Sequence, residues 1–181
     1  MKILIASDLH GSAYYARALA KRYEAEGADQ LFLLGDLLYH GPRNPLPRDY
    51  APKEVIEILN ALKYDITAIR GNCDSEVDQM VLQFPIMADY TAVHADGKAF
   101  YLSHGHVYSP DAPMPLRDGD VLLCGHTHVP TVRRNGFLFL NPGSLSLPKE
   151  DSANSYLIYE NGVFTFKNTD GEAYREEPWE E

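Results

Sequence analysis

The chain has 181 residues, of which 45% are hydrophobic, and this length and composition suffice for one buried core. Its formal net charge of -10 argues against a dedicated binder of long nucleic acids, because such proteins need clustered Lys and Arg to displace counterions from phosphates. We therefore expect a single domain over residues 1–181 whose affinity for phosphate, if any, is local.

The N-terminal apolar run is too short for a signal peptide, and no stretch approaches the roughly 20 apolar residues that a spanning helix requires. These features predict a cytoplasmic protein without a membrane partner. The two cysteines, Cys73 and Cys124, are expected to stay reduced in that compartment.

The first half of the chain alternates strands with helices. Short apolar runs that stop at polar residues are typical of buried parallel strands, and apolar residues at helical spacing between them predict amphipathic helices. The predicted elements are a strand over residues 2–6, a helix from about residue 12 to a left-handed cap at Gly27, a strand over 31–34, a helix that begins at Pro52, and a strand over 65–70.

Beyond residue 84, short β-rich runs replace this alternation, and Asp-Gly or Asn-Gly pairs lie between them. Such pairs are the strongest short-range indication of a β-hairpin, and they occur at Asp96-Gly97, Asn135-Gly136 and Asn161-Gly162. A βαβαβ half followed by a mainly antiparallel half predicts an α/β fold, a four-layer αββα sandwich of two mixed β-sheets flanked by helices. The acidic end, residues 170–181, is expected to fray.

Polar clusters follow five of the predicted strands. Because ligand sites of open α/β sheets form outside the carboxyl ends of strands, the first three clusters should converge on one crevice. Histidines two residues apart on an extended segment point to the same side, so both histidines of the last cluster can reach one site. The clusters are Asp8-Leu9-His10, Gly35-Asp36, Gly71-Asn72-Cys73-Asp74, Ser103-His104-Gly105-His106 and Gly125-His126-Thr127-His128.

In order, these clusters read DxH, GD, GN[HC][DE], HG and GHxH, and Asn141-Pro142-Gly143-Ser144 follows them. The chain thereby resembles the calcineurin-like metallophosphoesterase superfamily. In length, and in the cysteine of its third motif, it is most similar to the small bacterial and archaeal phosphodiesterases of that superfamily. The resemblance implies the same αββα sandwich that the strand pattern predicts.

The resemblance also implies a site for two divalent metal ions that share a hydroxide, which attacks phosphorus in line. It assigns Asp8, His10, Asp36 and His128 to one ion, and Asp36, Asn72, His104 and His126 to the other, with Asp36 as the bridge. The resemblance favours manganese, while zinc, iron and nickel also suit oxygen and imidazole ligands. Gly35, Gly71 and Gly125 are expected to let the backbone approach the metals.

Three further residues are candidates for the reaction. Cys73 stands where the superfamily usually has a histidine that protonates the leaving group, and its thiol either donates that proton or merely fills the space. Arg43 lies in the proline-rich loop 39–51, a candidate lid, and either binds a phosphate or is a solvated surface arginine. His106 either lines the substrate pocket or supports the metal ligands.

The predicted function is metal-dependent hydrolysis of phosphodiester bonds in small or nucleotide-like substrates. A phosphomonoesterase stays open as an alternative, because the same two metals serve both reactions. A non-catalytic scaffold, such as the retromer subunit of this fold, is the other alternative, although seven filled ligand positions favour an enzyme. The predicted partner is a small phosphodiester, and the 12 tyrosines are compatible with a homo-oligomeric interface.

Overall fold

The computed structural model describes residues 1–95 and 97–179. Asp96 of the predicted Asp96-Gly97 turn and Glu180 and Glu181 of the predicted acidic tail lie outside these residues. In chain order, the elements are β1 Lys2–Ala6, α1 Ala13–Glu26, β2 Gln30–Leu33, α2 Pro52–Ala61, β3 Ile66–Ala68, α3 Glu76–Val81, β4 Tyr90–Ala95, β5 Lys98–Ser103, β6 Val121–Leu123, β7 Thr131–Asn135, β8 Phe137–Asn141, β9 Ser155–Glu160, β10 Val163–Asn168 and β11 Ala173–Pro178.

The described strands form two mixed sheets. The first has the order β11-β10-β9-β1-β2-β3, in which β1, β2 and β3 are parallel and the other neighbours are antiparallel. The second has the order β4-β5-β6-β8-β7, in which β5, β6 and β8 are parallel. The predicted fold class, an α/β sandwich of two mixed sheets, is confirmed.

Strand β1 shows why the first sheet is buried on both faces. Ile3 and Ile5 point into the core shared with Phe100 and other residues of the second sheet, whereas Leu4 packs in the core beneath α1 and α2. Because successive side chains alternate between faces, a strand covered on both sides must be apolar throughout. The continuous run in β1 satisfies this requirement and holds the strand ends in fixed positions.

The outer face of the second sheet is covered by the loop between β5 and β6, not by the predicted helix layer. Met114 of this loop packs against Leu122 in β6, Cys124 directly after β6 and Phe139 in β8. Prolines at 110, 113 and 115 explain the difference, because proline removes a backbone donor and interrupts regular structure.

The acidic tail does not fray over residues 173–178, which pair with β10 as the edge strand β11. Trp179 is only 4% exposed and packs edge-on against Phe100, with ring centroids 4.7 Å apart. Charge alone suggested a solvated tail, but the apolar anchor that follows the strand fixes it to the core. No helix in the described ranges is both long and apolar enough to cross a membrane.

Candidate metal centre

Backbone hydrogen bonds join the segments that follow β1 and β2. The amide of Asp8 donates to the carbonyl of Gly35 at 3.2 Å, and the amide of His10 donates to that of Asp36 at 2.9 Å. The side chains of Asp8, His10 and Asp36 are thereby brought together, with no more than 2% of any of these residues exposed.

One group of possible ligands joins the two halves of the chain. The Oδ1 atom of Asp8 lies 3.2 Å from Nε2 of His128 and 3.6 Å from Nε2 of His10. The two imidazole nitrogens are themselves 3.2 Å apart. Asp8, His10 and His128 therefore present three ligand atoms to one point, where a metal ion could bind.

A second group lies beside the first and includes the candidate bridge. Nε2 of His104 is 3.5 Å from Oδ2 of Asp36, 3.0 Å from Oδ1 of Asn72 and 4.0 Å from Oδ1 of Asp8. The ring of His126 lies 5.0 Å from that of His104, so it borders this group at a greater distance. The structure thus brings six of the seven predicted ligands into close contact and places His126 at the edge.

The ring orientation of three buried histidines is fixed by a hydrogen bond at Nδ1, the ring nitrogen that does not face the carboxylates. In each case Nδ1 donates to a backbone carbonyl, because a carbonyl can only accept: His10 to Tyr39 at 2.9 Å, His104 to Leu34 at 2.6 Å and His128 to Leu147 at 2.6 Å. This leaves Nε2 of the neutral ring as a lone-pair donor directed at the carboxylates, the usual arrangement of metal-binding histidines.

The electrostatics of the cluster fit a bound cation. Burial by itself raises the pKa of the Asp8 carboxyl, but its contacts with His10 and His128 outweigh burial and hold that pKa well below its usual value. Burial lowers the pKa of His104, but Asp36 and Asp8 outweigh it and raise that pKa to about 9. Within the described residues, Oδ1 of Asp8 is buried and accepts no hydrogen bond of good geometry. A divalent ion would satisfy this oxygen and the facing nitrogens together.

Backbone strain is concentrated at the same residues. Of nine non-glycine residues with positive φ in the described part of the chain, five are predicted ligands: Asp8, His10, Asp36, His126 and His128. Such conformations cost roughly 1–3 kcal/mol each and persist only where the surroundings impose them. For Asp8, the hydroxyls of Ser144 and Ser146 donate to its carbonyl at 2.8 and 3.0 Å.

Asp74 orients the loops that carry these ligands. Its carboxylate accepts from the amides of Asp36 at 2.8 Å, Leu37 at 2.9 Å and Gly71 at 2.7 Å. The N-cap of α3 is Ser75. A carboxylate that is 9% exposed and holds three amides fixes the spacing between the segments after β2 and β3.

The glycines of the motifs permit close packing of side chains. A Cβ on Gly71 would overlap Oδ1 of Asp36, and one on Gly125 would overlap Oγ of Ser7 and lie 2.6 Å from Oδ2 of Asp8. The close approach predicted for these glycines is therefore made to the candidate ligands and their supporting side chains.

A cavity of about 340 Å³, here called the wide cavity, opens on the cluster. Arg43 lines it from the loop 39–51, and Lys149, which belongs to no sequence motif, lines it as well. Cys73 also lines the wide cavity. His106 does not line it, and its ring packs edge-on against that of His104 at 5.4 Å. The remaining lining residues are Asp36, Gly41, Pro42, Asn44, Asn72, His126 and His128.

Two mixed sheets whose strand ends bring carboxylates and imidazoles together at a cavity define a metallophosphoesterase. The model of the calcineurin-like phosphoesterase superfamily domain matches residues 1–162, so the chain belongs to that family and is a hydrolase of phosphoric esters. Membership implies divalent metal ions, and the groups described above are candidate ligands.

Relatives agree in sequence and in structure. The chain is 45% identical over 166 residues to phosphodiesterase YfcE of Escherichia coli K12, which covers 91% of this chain and 90% of that protein. A solved structure of YfcE, a phosphoesterase from E. coli, matches with a TM-score of 0.96 at 41% identity and covers 98% of this chain and 99% of that one. Vps29 of Entamoeba histolytica, solved in complex with zinc, shares the fold alone, with a TM-score of 0.67 at 19% identity over 99% of both chains.

Proposed function

We propose that this protein hydrolyses phosphodiester bonds in small or nucleotide-like substrates, with two divalent metal ions at the candidate centre. The observation that carries the proposal is the convergence of His10, His104 and His128 on the carboxylates of Asp8 and Asp36. The 45% identity to a phosphodiesterase supports the diester over the monoester. The volume of the wide cavity, about 340 Å³, falls within the range of small-molecule sites and supports a small substrate.

Within this proposal Asp8, His10, Asp36 and His128 bind one ion, and Asp36, Asn72, His104 and His126 bind the other. Contacts of 3.0 to 4.0 Å among all of these except His126 support the assignment. Oxygen and imidazole donors without an obligatory thiolate are compatible with manganese, which we propose as the active metal.

When bound, two divalent ions would activate a water molecule as the nucleophile and stabilise the charge that develops on the phosphoryl oxygens. The chain's own residues contribute position and charge. Arg43 and Lys149 are the cations that line the wide cavity, and we propose that they bind the anionic part of the substrate. The backbone amide of Cys73 donates to Oδ1 of Asp36 at 2.8 Å, which leaves Oδ2 directed at His10 and His104.

Cys73 is the proposed proton donor to the leaving oxygen. Burial, followed by the charge of Asp36, raises the pKa of this thiol to about 12. Asn72 donates from Nδ2 to its Sγ at 3.3 Å, and the thiol itself also hydrogen-bonds to the carboxylate of Asp36. A neutral thiol that lines the wide cavity can donate to a departing alkoxide.

The test is hydrolysis of bis-p-nitrophenyl phosphate and p-nitrophenyl phosphate side by side, with chelated protein before and after addition of manganese, zinc or nickel. We expect manganese-dependent cleavage of the diester that is lost in Asp36→Asn. Faster cleavage of the monoester would replace the proposal with a phosphomonoesterase. Absence of turnover with every metal, together with substoichiometric metal in the purified protein, would favour the scaffold alternative.

A further inference from the structure

A second pocket borders the centre on the other side of His126. Its volume is about 120 Å³, and we call it the ring pocket. His126 lines both this pocket and the wide cavity, so its side chain forms their common wall. The other lining residues are Gly105, Ser109, Pro110, Asp111, Cys124, Gly125, Thr127, Thr131, Arg133 and Phe139.

The inner wall of the ring pocket is apolar and fixed. Cys124 and Phe139 are 1% and 4% exposed, and both belong to the cluster beneath the loop between β5 and β6. Because that cluster is packed on its far side by Met114 and Leu122, the wall cannot collapse into the pocket without losing these contacts.

One side wall is a tight turn. Ser109 and Ala112 exchange two backbone hydrogen bonds, of 3.3 and 3.1 Å, and the hydroxyl of Ser109 accepts a further bond from the amide of Ala112 at 3.2 Å. With Pro110 inside it, this turn is stiff. On the other side, the hydroxyl of Thr131 donates to the carbonyl of Val129 at 2.9 Å, which restrains the rotation of this side chain. The pocket is thus formed before any ligand binds.

The mouth of the ring pocket is polar. Arg133 reaches Asp111 at 3.3 Å between β7 and the turn, and both side chains are mostly exposed. The guanidinium of Arg133 also lies 6.0 Å from the ring centroid of Phe139. An apolar interior with a charged, planar group at its mouth suits a flat ring, whose faces contact carbon and whose edge meets donors and acceptors.

The volume limits the ligand to one ring. A cavity of roughly 150 Å³ binds one benzene molecule, so a pocket of about 120 Å³ can enclose at most one six-membered ring, part of which lies in the open mouth, and excludes a fused bicycle with its sugar. A flexible alkyl chain would fill the same space at a greater loss of conformational entropy.

The geometry of displacement decides which ester group enters. In an in-line displacement the leaving oxygen lies opposite the nucleophile, and the ester group that stays on phosphorus lies to the side of that axis. In the proposed centre the nucleophile would lie on the side of the buried carboxylates, so the leaving group would point toward the wide cavity. The retained group would then extend sideways, and one of the sideways directions leads past His126, which lines both pockets.

We propose that the ring pocket binds a single planar ring, aryl or pyrimidine, on the ester group that remains on phosphorus. This inference rests on the proposed function, since it assumes that phosphate binds at the candidate centre. It makes the ring pocket a specificity determinant for diesters whose retained group carries such a ring.

The test uses a variant that fills the pocket. Thr131 begins the edge strand β7, where a large aromatic residue is compatible with strand geometry, so Thr131→Trp should fold and occupy the space. Thr131→Val keeps the size of the side chain and serves as the matched control. Melting temperature and bound metal are measured for both variants to confirm that the fold and the centre are intact.

Two readouts are needed. The first is kcat/KM for bis-p-nitrophenyl phosphate relative to methyl p-nitrophenyl phosphate, which share a leaving group and differ only in the retained one. The second is the affinity for phenylphosphonate relative to methylphosphonate by calorimetry, which requires no turnover. We expect both ratios to be at least fivefold higher for the unchanged protein and Thr131→Val than for Thr131→Trp. The comparison is made between variants because a p-nitrophenyl group that stays on phosphorus raises the reactivity of the diester even without a pocket contact.

The inference is overturned if the unchanged protein shows no preference, if Thr131→Trp keeps it, or if that variant loses aryl and methyl ligands equally. Failure of the proposed function gives a different result. In that case no diester is turned over by the unchanged protein, while the phosphonate ratio still reports on the ring pocket.

Discussion

Nε2 of His10 lies 3.2 Å from Nε2 of His128, although both rings already use their Nδ1 atoms to donate to backbone carbonyls. When both rings are neutral, their Nε2 lone pairs face each other at this distance, which is unfavourable unless a proton or a metal cation lies between or beside them. The carboxylate of Asp8, 3.2 Å from one and 3.6 Å from the other, adds a negative group at the same point. The fold therefore creates a site that a cation would stabilise.

Removal of metal should destabilise the protein. A metal ion that binds only the folded state and is present at a free concentration of 100 times its Kd adds about 2.7 kcal/mol to the free energy of unfolding. For a domain of this size, that change raises the Tm by roughly 5–10 °C. We expect chelation to lower the Tm by this amount and added manganese to restore it, as measured by differential scanning fluorimetry. Asp36→Asn should show little response to either treatment, and an equal response in that variant would contradict the assignment of Asp36.

Loss of the Asp74 carboxylate should disturb both stability and activity. Asp74→Ala leaves three buried amides without their acceptor, at a cost of about 1–3 kcal/mol each before relaxation. Asp74→Asn keeps the shape but offers one acceptor oxygen, so its effect should be intermediate. Urea unfolding and kcat at saturating metal give the two readouts, and equal stability of Asp74→Ala and the unchanged protein would refute this role.

Gly71→Ala should strongly reduce the activity of the enzyme. The added methyl group overlaps Oδ1 of Asp36 and displaces a candidate bridging ligand, and a displacement of about 1 Å can cost on the order of 100-fold in rate. Gly162→Ala is the control, because its φ of 82° disfavours alanine while open space surrounds it. That variant should lose some stability and retain full activity in the diester assay.

Glu26 should make the stability of the protein depend on pH. Burial raises its pKa, but hydrogen bonds from Lys167 at 2.8 Å and Tyr156 at 2.9 Å outweigh burial and hold it below 4.5. A lowered pKa in the folded state gives stability that is present above the unfolded pKa and is lost as pH falls through the folded one. The difference in unfolding free energy between the unchanged protein and Glu26→Gln should thus be constant near neutral pH and shrink below about pH 4.5.

Substrates with different leaving groups can distinguish the two roles considered for Cys73, proton donor and space-filling residue. If the neutral thiol donates a proton, Cys73→Ala should slow cleavage of an alkyl diester by about tenfold or more and hardly affect cleavage of a p-nitrophenyl diester, whose leaving group needs no proton. The comparison of the two rates in one metal-loaded preparation is the measurement. Unchanged turnover of both substrates would show that Cys73 only fills space.

Local patterns in the sequence predicted most of the first sheet. The apolar run before Asp8, the helix ending at Gly27 and the start of α2 at Pro52 all appear where expected, because each depends on neighbours in the chain. The outer layer over the second sheet and the strand β11 were not predicted. Both depend on contacts with distant segments, such as that of Trp179 with Phe100.

The ordered motifs of the sequence by themselves indicated the family and, through that resemblance, the candidate ligands. Strand period and turn residues, which act over a few residues, predicted the sandwich of two mixed sheets. Only the tertiary structure decided how closely those residues meet, that Asp74 holds the loops and that Lys149 lines the wide cavity. It alone showed a ring pocket beside His126. These features arise where segments that are far apart in the chain pack together, and local sequence patterns do not determine the distances between such segments.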